Sequence, residues 1–205
     1  MREVLGPGAR LVAIEAEKDP AQVATAFFDD VVTGYFPACL SDEVLRGERF
    51  DLVVFNDVLE HMVDPWSALH AAHSVLTESG VVLASVPNIQ YAPVVESLIR
   101  GGFDYADSGV LDRTHLRFFT RKTLLEMFAG AGFEVARCAG IHSAWEYWDS
   151  LPRGRRVVGP LLRRAKRGIR RTALRALPDS EWTQFVVVAR PAVDRDASGS
   201  EVGRS

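Results

Sequence analysis

The stretch FDLVVFNDVLEH, from Phe50 to His61, constrains the fold of this chain more than any other part of it. Four consecutive apolar residues follow Asp51, and such a run with β-branched members is typical of a strand that is buried on both faces. Asn56 and Asp57 come directly after the run, at the strand end where open α/β sheets place their ligands. The sequence therefore predicts a sheet that is covered by helices on both faces and binds a ligand at this strand end.

The segment after this strand predicts a helix from Trp66 to Thr77. Asp64 is suited to cap the helix, and Pro65 is suited to its first turn. At helical spacing the predicted apolar side consists of Trp66, Leu69, Ala72, His73 and Leu76. Residues Thr77 to Gly80 then predict the end of the helix. Strand, polar corner and helix together make half of a βαβ unit.

Two further apolar runs predict strands that end in polar residues. Leu11 to Ile14 ends at Glu15. A carboxylate at the tip of a strand can accept hydrogen bonds from both hydroxyls of a ribose, or it can simply solvate the strand end. Val81 to Val86 runs into Pro87 and Asn88, so we expect Asn88 at the same edge as the polar corner after the central strand.

The remaining patterns predict the outer elements of the same domain. We expect a helix over Lys18–Phe28, a small strand within Asp30–Tyr35, and a loop over Gly101–Phe119 that covers the ligand edge. Thr120 is suited to cap a further helix that runs to Ala129, with Leu124, Leu125 and Phe128 facing inward. The last two predicted elements are antiparallel strands over Phe133–Ile141 and Thr183–Arg190.

The length of 205 residues is enough for one domain with a core of ordinary size. We expect a domain over residues 1–191, which includes a basic helical insert at about 143–181, and a disordered tail over 192–205. No apolar stretch approaches the roughly 20 residues that span a membrane, and the N-terminus lacks the hydrophobic core of a signal peptide, so we expect a cytoplasmic protein. The two cysteines have no metal-ligand spacing, and no metal site is predicted.

Three stretches together resemble the class I S-adenosylmethionine-dependent methyltransferases, in particular the ubiquinone-type and small-molecule branch. They are FDLVVFNDVLEHMVDPWSAL, GVVLASVPN, and DRTHLRFFT followed by a helix and AGFEV. The resemblance runs from about Arg10 to Ile141 and resumes around Phe185. It implies a Rossmann-like α/β sheet, S-adenosylmethionine as cofactor, and transfer of a methyl group to a small-molecule acceptor, with a hydroxyl favoured.

The resemblance also implies roles for individual residues. Glu15 would hold the adenosyl ribose, and Asn56, Asp57 and Val58 would lie along the adenosine and methionine portions of the cofactor. A sulfonium is already an activated electrophile, so the protein has to align a nucleophile and, for a hydroxyl, accept its proton. Histidine is suited to that role near neutral pH.

His115 is the first candidate for the base, because it lies in the loop that would cover the substrate, and His61 is the second. The alternatives are that His61 only ties the strand-to-helix corner together and that His115 only anchors the loop. The implied substrate-binding residues are Asn88, Asp112, Arg113 and Arg117. The two arginines either grip an anionic substrate or pair with the neighbouring Asp107 and Asp112.

One part of the family pattern has no counterpart in this sequence. The first strand and its glycine-rich loop should lie upstream of Arg2–Leu5, and Gly6-Pro7-Gly8 precedes the acidic-tipped strand directly. In the family's sheet that strand lies at the centre, between the strands that end at Glu15 and Asn56. We therefore expect that the true protein begins earlier than Met1.

Three functions from different classes follow from these patterns. The first is a small-molecule methyltransferase, and the second is a methyltransferase-like domain without catalysis that serves as a binding or scaffold protein. The third rests on ten bases and no acid between Pro152 and Pro178, at a spacing that predicts an amphipathic helix on an anionic membrane or an acidic partner. The alternative for this segment is a solvated helix that packs one face on the domain. It lacks interleaved aromatic residues, so nucleic acid is not favoured.

Overall fold

The computed structural model describes residues 2–143, 174 and 176–192. In this part of the chain, strands form one two-stranded and one four-stranded sheet. The strands are β1 (Val12–Glu15), β2 (Asp30–Thr33), β3 (Phe50–Asn56), β4 (Leu76–Pro87), β5 (Phe133–Ser143) and β6 (Trp182–Pro191). The α-helices are α1 (Arg2–Leu5), α2 (Lys18–Ala24), α3 (Pro65–Val75), α4 (Ala92–Ile99) and α5 (Arg121–Gly130), and 3₁₀ turns cover Ala38–Ser41 and Leu59–His61.

The strand pairing confirms the predicted α/β class. β3 and β4 run parallel, from Leu52 opposite Val81 to Asn56 opposite Ser85. β6 and β5 complete the sheet in the order β3-β4-β6-β5, and they are antiparallel to each other as predicted. β1 and β2 pair in parallel as the separate sheet. The parallel β3 and β4 therefore bring their carboxyl ends to one edge.

Strand β4 begins earlier than the sequence predicted. The expected helix stop over Thr77–Gly80 is wrong, because the strand starts at Leu76 directly after α3. Phe50 lies opposite Leu76, but Leu52 lies opposite Val81, so the residues between them form an irregularity in the register. A bulge of this kind lets a strand continue where its pairing is irregular. The hydrophobic pattern of the sequence does not reveal that the strand continues there.

Helix α3 has the predicted cap, since the Asp64 carboxylate accepts a hydrogen bond from the Ser67 amide at 3.0 Å. Its buried residues are Pro65, Ala68, Leu69, Ala72 and Val75. Trp66 was expected on this face, but it is 46% exposed, with the Arg117 guanidinium 5.8 Å from its ring centroid. His73 is exposed as well. The prediction is wrong for these two side chains, whereas it is correct for the centre of the helix.

Helix α5 confirms the predicted capping and inward face. The Thr120 hydroxyl accepts from the Thr123 amide at 3.2 Å, and the Thr123 hydroxyl accepts from the Thr120 amide at 3.0 Å. Leu124 and Phe128 are fully buried in the core with β4 and β6, and Leu125 is partly buried. Such reciprocal caps satisfy two amides that the first turn leaves without a partner.

Strand β3 is less buried than expected. Phe55 is its one buried residue, and the others are half-buried or exposed. β3 pairs with β4 along one edge, and within the described residues no strand pairs with its other edge or joins it to the sheet of β1 and β2. The prediction of a strand buried on both faces is therefore wrong in the described structure.

Two helices also differ from the predictions. Helix α2 ends at Ala24 rather than Phe28, and the apolar side chains of Val23 and Phe27 are exposed. Helix α4 was not predicted, although its Ala92 and Val94 are buried.

The predicted basic insert at about 143–181 lies mostly outside the described residues, and the predicted tail lies outside them from residue 193 onward. The proposed domain boundaries therefore stay predictions. Where the structure describes the chain, no helix is both long and apolar enough to cross a membrane.

Candidate active site

The carboxyl ends of β1 and β3 are connected through one aromatic contact. The Glu15 carbonyl accepts a hydrogen bond from the Gly34 amide at 2.8 Å. Two residues further on, Phe36 packs edge-on against Phe55, with ring centroids 5.7 Å apart. Because Phe55 precedes Asn56, this contact ties the acidic end of β1 to the polar corner after β3.

The Glu15 side chain is suited to bind hydroxyl groups. It is half-buried, and within the described part of the chain its carboxylate accepts a hydrogen bond only from the Glu17 amide, at 3.4 Å. A carboxylate has about four acceptor positions, so several remain available for a ligand.

The corner after β3 holds Asp57 in an unusual backbone conformation. Its φ is +51°, in the left-handed region that residues other than glycine rarely adopt. The Asp57 amide donates to the Ser85 carbonyl at 3.1 Å, and its carboxylate accepts from the Gln184 amide group. Asn56 and Val58 on either side are exposed. A strained backbone conformation of this kind persists where neighbouring contacts stabilise it, often at functional sites. Here the strained corner places polar groups at the edge of the sheet.

The loop after α4 docks onto the 3₁₀ turn that follows this corner. The Leu116 and Arg117 amides donate to the Glu60 carbonyl at 2.8 and 3.0 Å. This docking places the His115 ring against the His61 ring, with centroids 4.7 Å apart and an edge-to-face angle of 72°. The structure thus brings together the two histidines that the sequence proposed separately as catalytic candidates.

Backbone carbonyls orient both rings. The His61 Nδ1 lies 3.3 Å from the Thr114 carbonyl, and the His115 Nδ1 lies 3.1 Å from the Val110 carbonyl. A carbonyl can only accept, so these contacts assign a proton to each Nδ1 and leave each Nε2 with a lone pair. His61 is exposed, whereas His115 is only 9% exposed.

Asp112 supports this arrangement by binding a residue that contacts His61. Its carboxylate accepts from the Thr114 hydroxyl at 2.6 Å and from the Thr114 amide at 2.8 Å, and Thr114 in turn contacts His61. The hydrogen bonds from Thr114 lower the pKa of Asp112, and the positive charges of the histidines add to this effect when they are protonated.

Glu60 is the residue of this site that the sequence analysis missed. It is 1% exposed, and within the described residues neither carboxylate oxygen has a hydrogen-bond partner. Burial raises its pKa to about 7, and the negative charge of Asp57 adds to the shift. A glutamate beside a histidine in a polar corner carries no local signal of burial, because the docking of a distant loop buries it.

Asn88 has a structural position rather than an accessible one. It is fully buried, and its amide group donates to the carbonyls of Asp179 and Trp182, both at 2.8 Å. Its side-chain oxygen accepts from the Gln90 amide at 2.9 Å. Asn88 follows β4 at the expected edge of the sheet, where these bonds tie the end of β4 to the start of β6, and its role as a substrate-binding residue stays a prediction.

The two candidate arginines make local contacts. Arg113 pairs with Asp107 at 2.6 Å, which is the alternative that the sequence left open. Arg117 lies over Trp66 and donates to the Val63 carbonyl, and within the described residues it forms no ion pair with Asp107 or Asp112. Neither contact by itself prevents the exposed part of a guanidinium from meeting an anionic group.

These features together define an α/β domain of the Rossmann type, with polar side chains at strand ends and a loop that docks beside them. The chain belongs to the methyltransferase domain family, whose sequence model matches residues 5–137. The predicted family is therefore confirmed.

Relatives and solved structures agree with this assignment. A ubiquinone biosynthesis O-methyltransferase from Methylobacterium sp. (strain 4-46) is 28% identical over 138 residues, which cover 65% of this chain and 55% of that protein. The chain spans about half the length of the curated relatives it matches. A SAM-dependent methyltransferase from Archaeoglobus fulgidus has a TM-score of 0.58 at 16% identity, with 87% of this chain and 74% of that chain covered.

A third similar protein was crystallised with ligands. The 1,6-didemethyltoxoflavin-N1-methyltransferase from Burkholderia thailandensis, bound to 1,6-didemethyltoxoflavin and S-adenosylhomocysteine, has a TM-score of 0.51 at 18% identity, with 93% of this chain and 65% of that chain covered. At these identities the two solved structures show that the fold is shared.

Proposed function

We propose that this domain transfers a methyl group from S-adenosylmethionine to a hydroxyl group of a small-molecule acceptor. The observation that carries the proposal is the pair of His61 and His115, 4.7 Å apart between ring centroids, beside the polar corner of β3 in a member of the methyltransferase family. The similarity to ubiquinone biosynthesis O-methyltransferases supports a hydroxyl as the acceptor.

The residues at the strand ends fit the cofactor. The Glu15 carboxylate has free acceptor positions, as the two hydroxyls of a ribose require. Asn56, Asp57 and Val58 are exposed at the end of β3, where they would lie along the adenosine and methionine portions. When bound, S-adenosylmethionine supplies a methyl group on a sulfonium, so the chain needs no further activation of the methyl donor.

The chain's own contribution is to orient the acceptor and remove its proton. The Nδ1 atoms of His61 and His115 face backbone carbonyls, so each ring carries its lone pair on Nε2, and the exposed His61 ring is the one that an acceptor hydroxyl can reach. Because His61 is exposed and His115 is nearly buried, we infer that His61 meets the acceptor first and that His115 supports it from behind. This order reverses the one that the sequence suggested. The loop that carries His115 would exclude water from the site.

The experiment combines calorimetry with a transfer assay on the full chain. We expect binding of S-adenosylmethionine and transfer of labelled methyl groups to members of a panel of phenols and other hydroxyl compounds. His61→Ala and His115→Ala should each lower turnover by roughly a hundredfold or more while the affinity for the cofactor changes little. Glu15→Ala should instead weaken cofactor binding by about tenfold, the effect of roughly 1.4 kcal/mol of lost hydrogen bonding.

His70→Ala is the matched control, since His70 is exposed on α3 outside the site. It should leave both readouts unchanged. Unchanged turnover in His61→Ala or in His115→Ala would refute the role of the histidine pair. Absence of cofactor binding in the wild-type chain would refute the proposed activity and favour a binding or scaffold protein without catalysis.

A further inference from the structure

The polar corner after β3 is held by a side chain from β6 that the sequence analysis did not single out. The side-chain amide of Gln184 donates a hydrogen bond to the Asp57 carboxylate. β4 lies between β3 and β6, so this bond crosses the end of β4 and joins two strands that do not pair with each other. Because β6 is antiparallel to β4, its amino end lies at the edge where β3 and β4 have their carboxyl ends. The topology therefore brings Gln184 to the ligand edge.

The position of the Gln184 side chain is well defined. An ionised carboxylate can only accept hydrogen bonds, so the nitrogen of the amide group faces Asp57. Hydrogen bonds to an ionised acceptor are about twice as strong as those between neutral groups. The backbone beside Gln184 is held on both sides, since the Asn88 amide donates to the Thr183 carbonyl at 2.8 Å and the Thr183 hydroxyl donates to the His142 carbonyl at 3.0 Å.

Asp57 requires such a partner because its backbone conformation is strained. Its φ of +51° persists only where neighbouring contacts stabilise it. The Asp57 amide donates to the carbonyl and to the hydroxyl of Ser85, at 3.1 and 3.2 Å. These contacts fix the backbone, and the bond from Gln184 fixes one carboxylate oxygen. The other oxygen has no hydrogen-bond partner within the described residues, and Asp57 is exposed, so this oxygen stays open to a ligand.

We propose that Gln184 is a positioning residue for the cofactor: by holding the Asp57 carboxylate, it keeps the corner after β3 in the conformation that binds S-adenosylmethionine. The inference rests on the proposed function, in which Asp57 lies along the cofactor. Without Gln184, the Asp57 side chain would lose its freedom of rotation only when the cofactor binds, and this ordering would reduce the affinity. Gln184 thus raises the affinity without any contact of its own with the cofactor.

The first test is calorimetry of S-adenosylmethionine binding to the full chain at pH 8. Gln184→Leu removes the donor at similar side-chain size, and it should weaken binding about tenfold, the effect of one lost charge-assisted hydrogen bond. Gln22→Leu is the matched control, because Gln22 is exposed on α2 and its side chain has no hydrogen-bond partner within the described residues. The control should bind like the wild type. Circular dichroism checks that each variant folds.

A double-mutant cycle decides whether Gln184 acts through Asp57. Asp57→Gly removes the carboxylate, and glycine adopts the left-handed conformation without strain. In the Asp57→Gly background, Gln184→Leu should change the affinity by less than about twofold, because the group that it holds is absent. A tenfold loss in both backgrounds would overturn the inference, and so would wild-type affinity in Gln184→Leu alone.

Gln184→Glu separates position from charge. At pH 8 the introduced carboxylate repels Asp57, so the corner should be displaced and binding should weaken at least tenfold relative to the wild type. At pH 5 the two carboxyls can share a proton and restore a hydrogen bond, so the loss should shrink to about threefold. The neighbouring titratable groups Glu60, His61 and His115 are the same in both proteins, so the ratio of the two affinities is compared at each pH. Tighter binding of the cationic cofactor by Gln184→Glu at pH 8 would overturn the inference, because net charge would then govern the affinity.

Hydrogen exchange measures the corner without the cofactor. The Asp57 amide should exchange about tenfold faster in Gln184→Leu than in the wild type or Gln22→Leu, because the corner opens more often. Unchanged exchange would overturn the inference whether or not the cofactor binds. Absence of cofactor binding in the wild type would instead refute the proposed function, and faster exchange in Gln184→Leu would still show that Gln184 holds the corner.

Discussion

Replacement of Glu60 by glutamine should make the chain more stable at alkaline pH. The folded protein raises the pKa of this carboxyl from 4.5 to about 7, chiefly by burial. Between these values the unfolded chain loses its proton while the folded chain retains it. The contribution of Glu60 to the free energy of unfolding is therefore highest below pH 4.5, and it decreases as the pH rises to about 7.

The size of the effect follows from the two pKa values. Each pKa unit corresponds to about 1.4 kcal/mol, so the shift from 4.5 to about 7 gives a loss of about 3 kcal/mol above pH 7. Glu60 is 1% exposed, and solvent therefore screens little of this loss. Glutamine resembles the protonated acid in shape and cannot ionise. For a domain of this length, about 3 kcal/mol corresponds to roughly 6 to 12 °C in Tm.

The assay is urea unfolding in EDTA at pH 5 and pH 8 for the wild type, Glu60→Gln and the control Glu78→Gln, whose side chain is exposed. At pH 5 the wild type should be less stable than Glu60→Gln by less than about 1 kcal/mol, and this difference should grow to about 3 kcal/mol at pH 8. The control should match the wild type at both. Asp57, whose charge adds to the pKa shift of Glu60, and the neighbouring His61 and His115 are the same in both proteins. A variant no more stable than the wild type at pH 8 would refute the reasoning.

Two further predictions concern other parts of the chain. Asp179→Asn should lower the free energy of unfolding in urea by about 2 kcal/mol, because the half-buried Arg121 loses charge-assisted hydrogen bonds of 2.9 and 2.7 Å to this carboxylate. The control Glu126→Gln, on the exposed face of α5, should lower it by less than about 0.5 kcal/mol. Equal losses in the two variants would contradict the expected effect of burial. The basic insert predicted at about 143–181 should make the full chain float with vesicles in proportion to their anionic lipid, and flotation independent of lipid charge would remove the membrane hypothesis.

The sequence by itself determined the elements whose signals are local. The apolar run of β3 with Asn56 and Asp57 after it, the strand that ends at Glu15, and the helix capped by Thr120 were all predictable. The strands and helices were predictable because their apolar residues follow the spacing of a strand or a helix. The helix caps were predictable because a capping side chain lies within three residues of the amide that it binds. The order of these elements was also enough to identify the methyltransferase family.

The tertiary structure decided which of the candidate residues meet. His61 and His115 are far apart in the chain, and they touch because the amides of Leu116 and Arg117 bind the Glu60 carbonyl. The carboxylate of Glu60, at the residue that receives this docking, is also buried, and its burial was not predicted. No periodic pattern encodes such a contact, because its free energy depends on two segments that only the complete fold brings together.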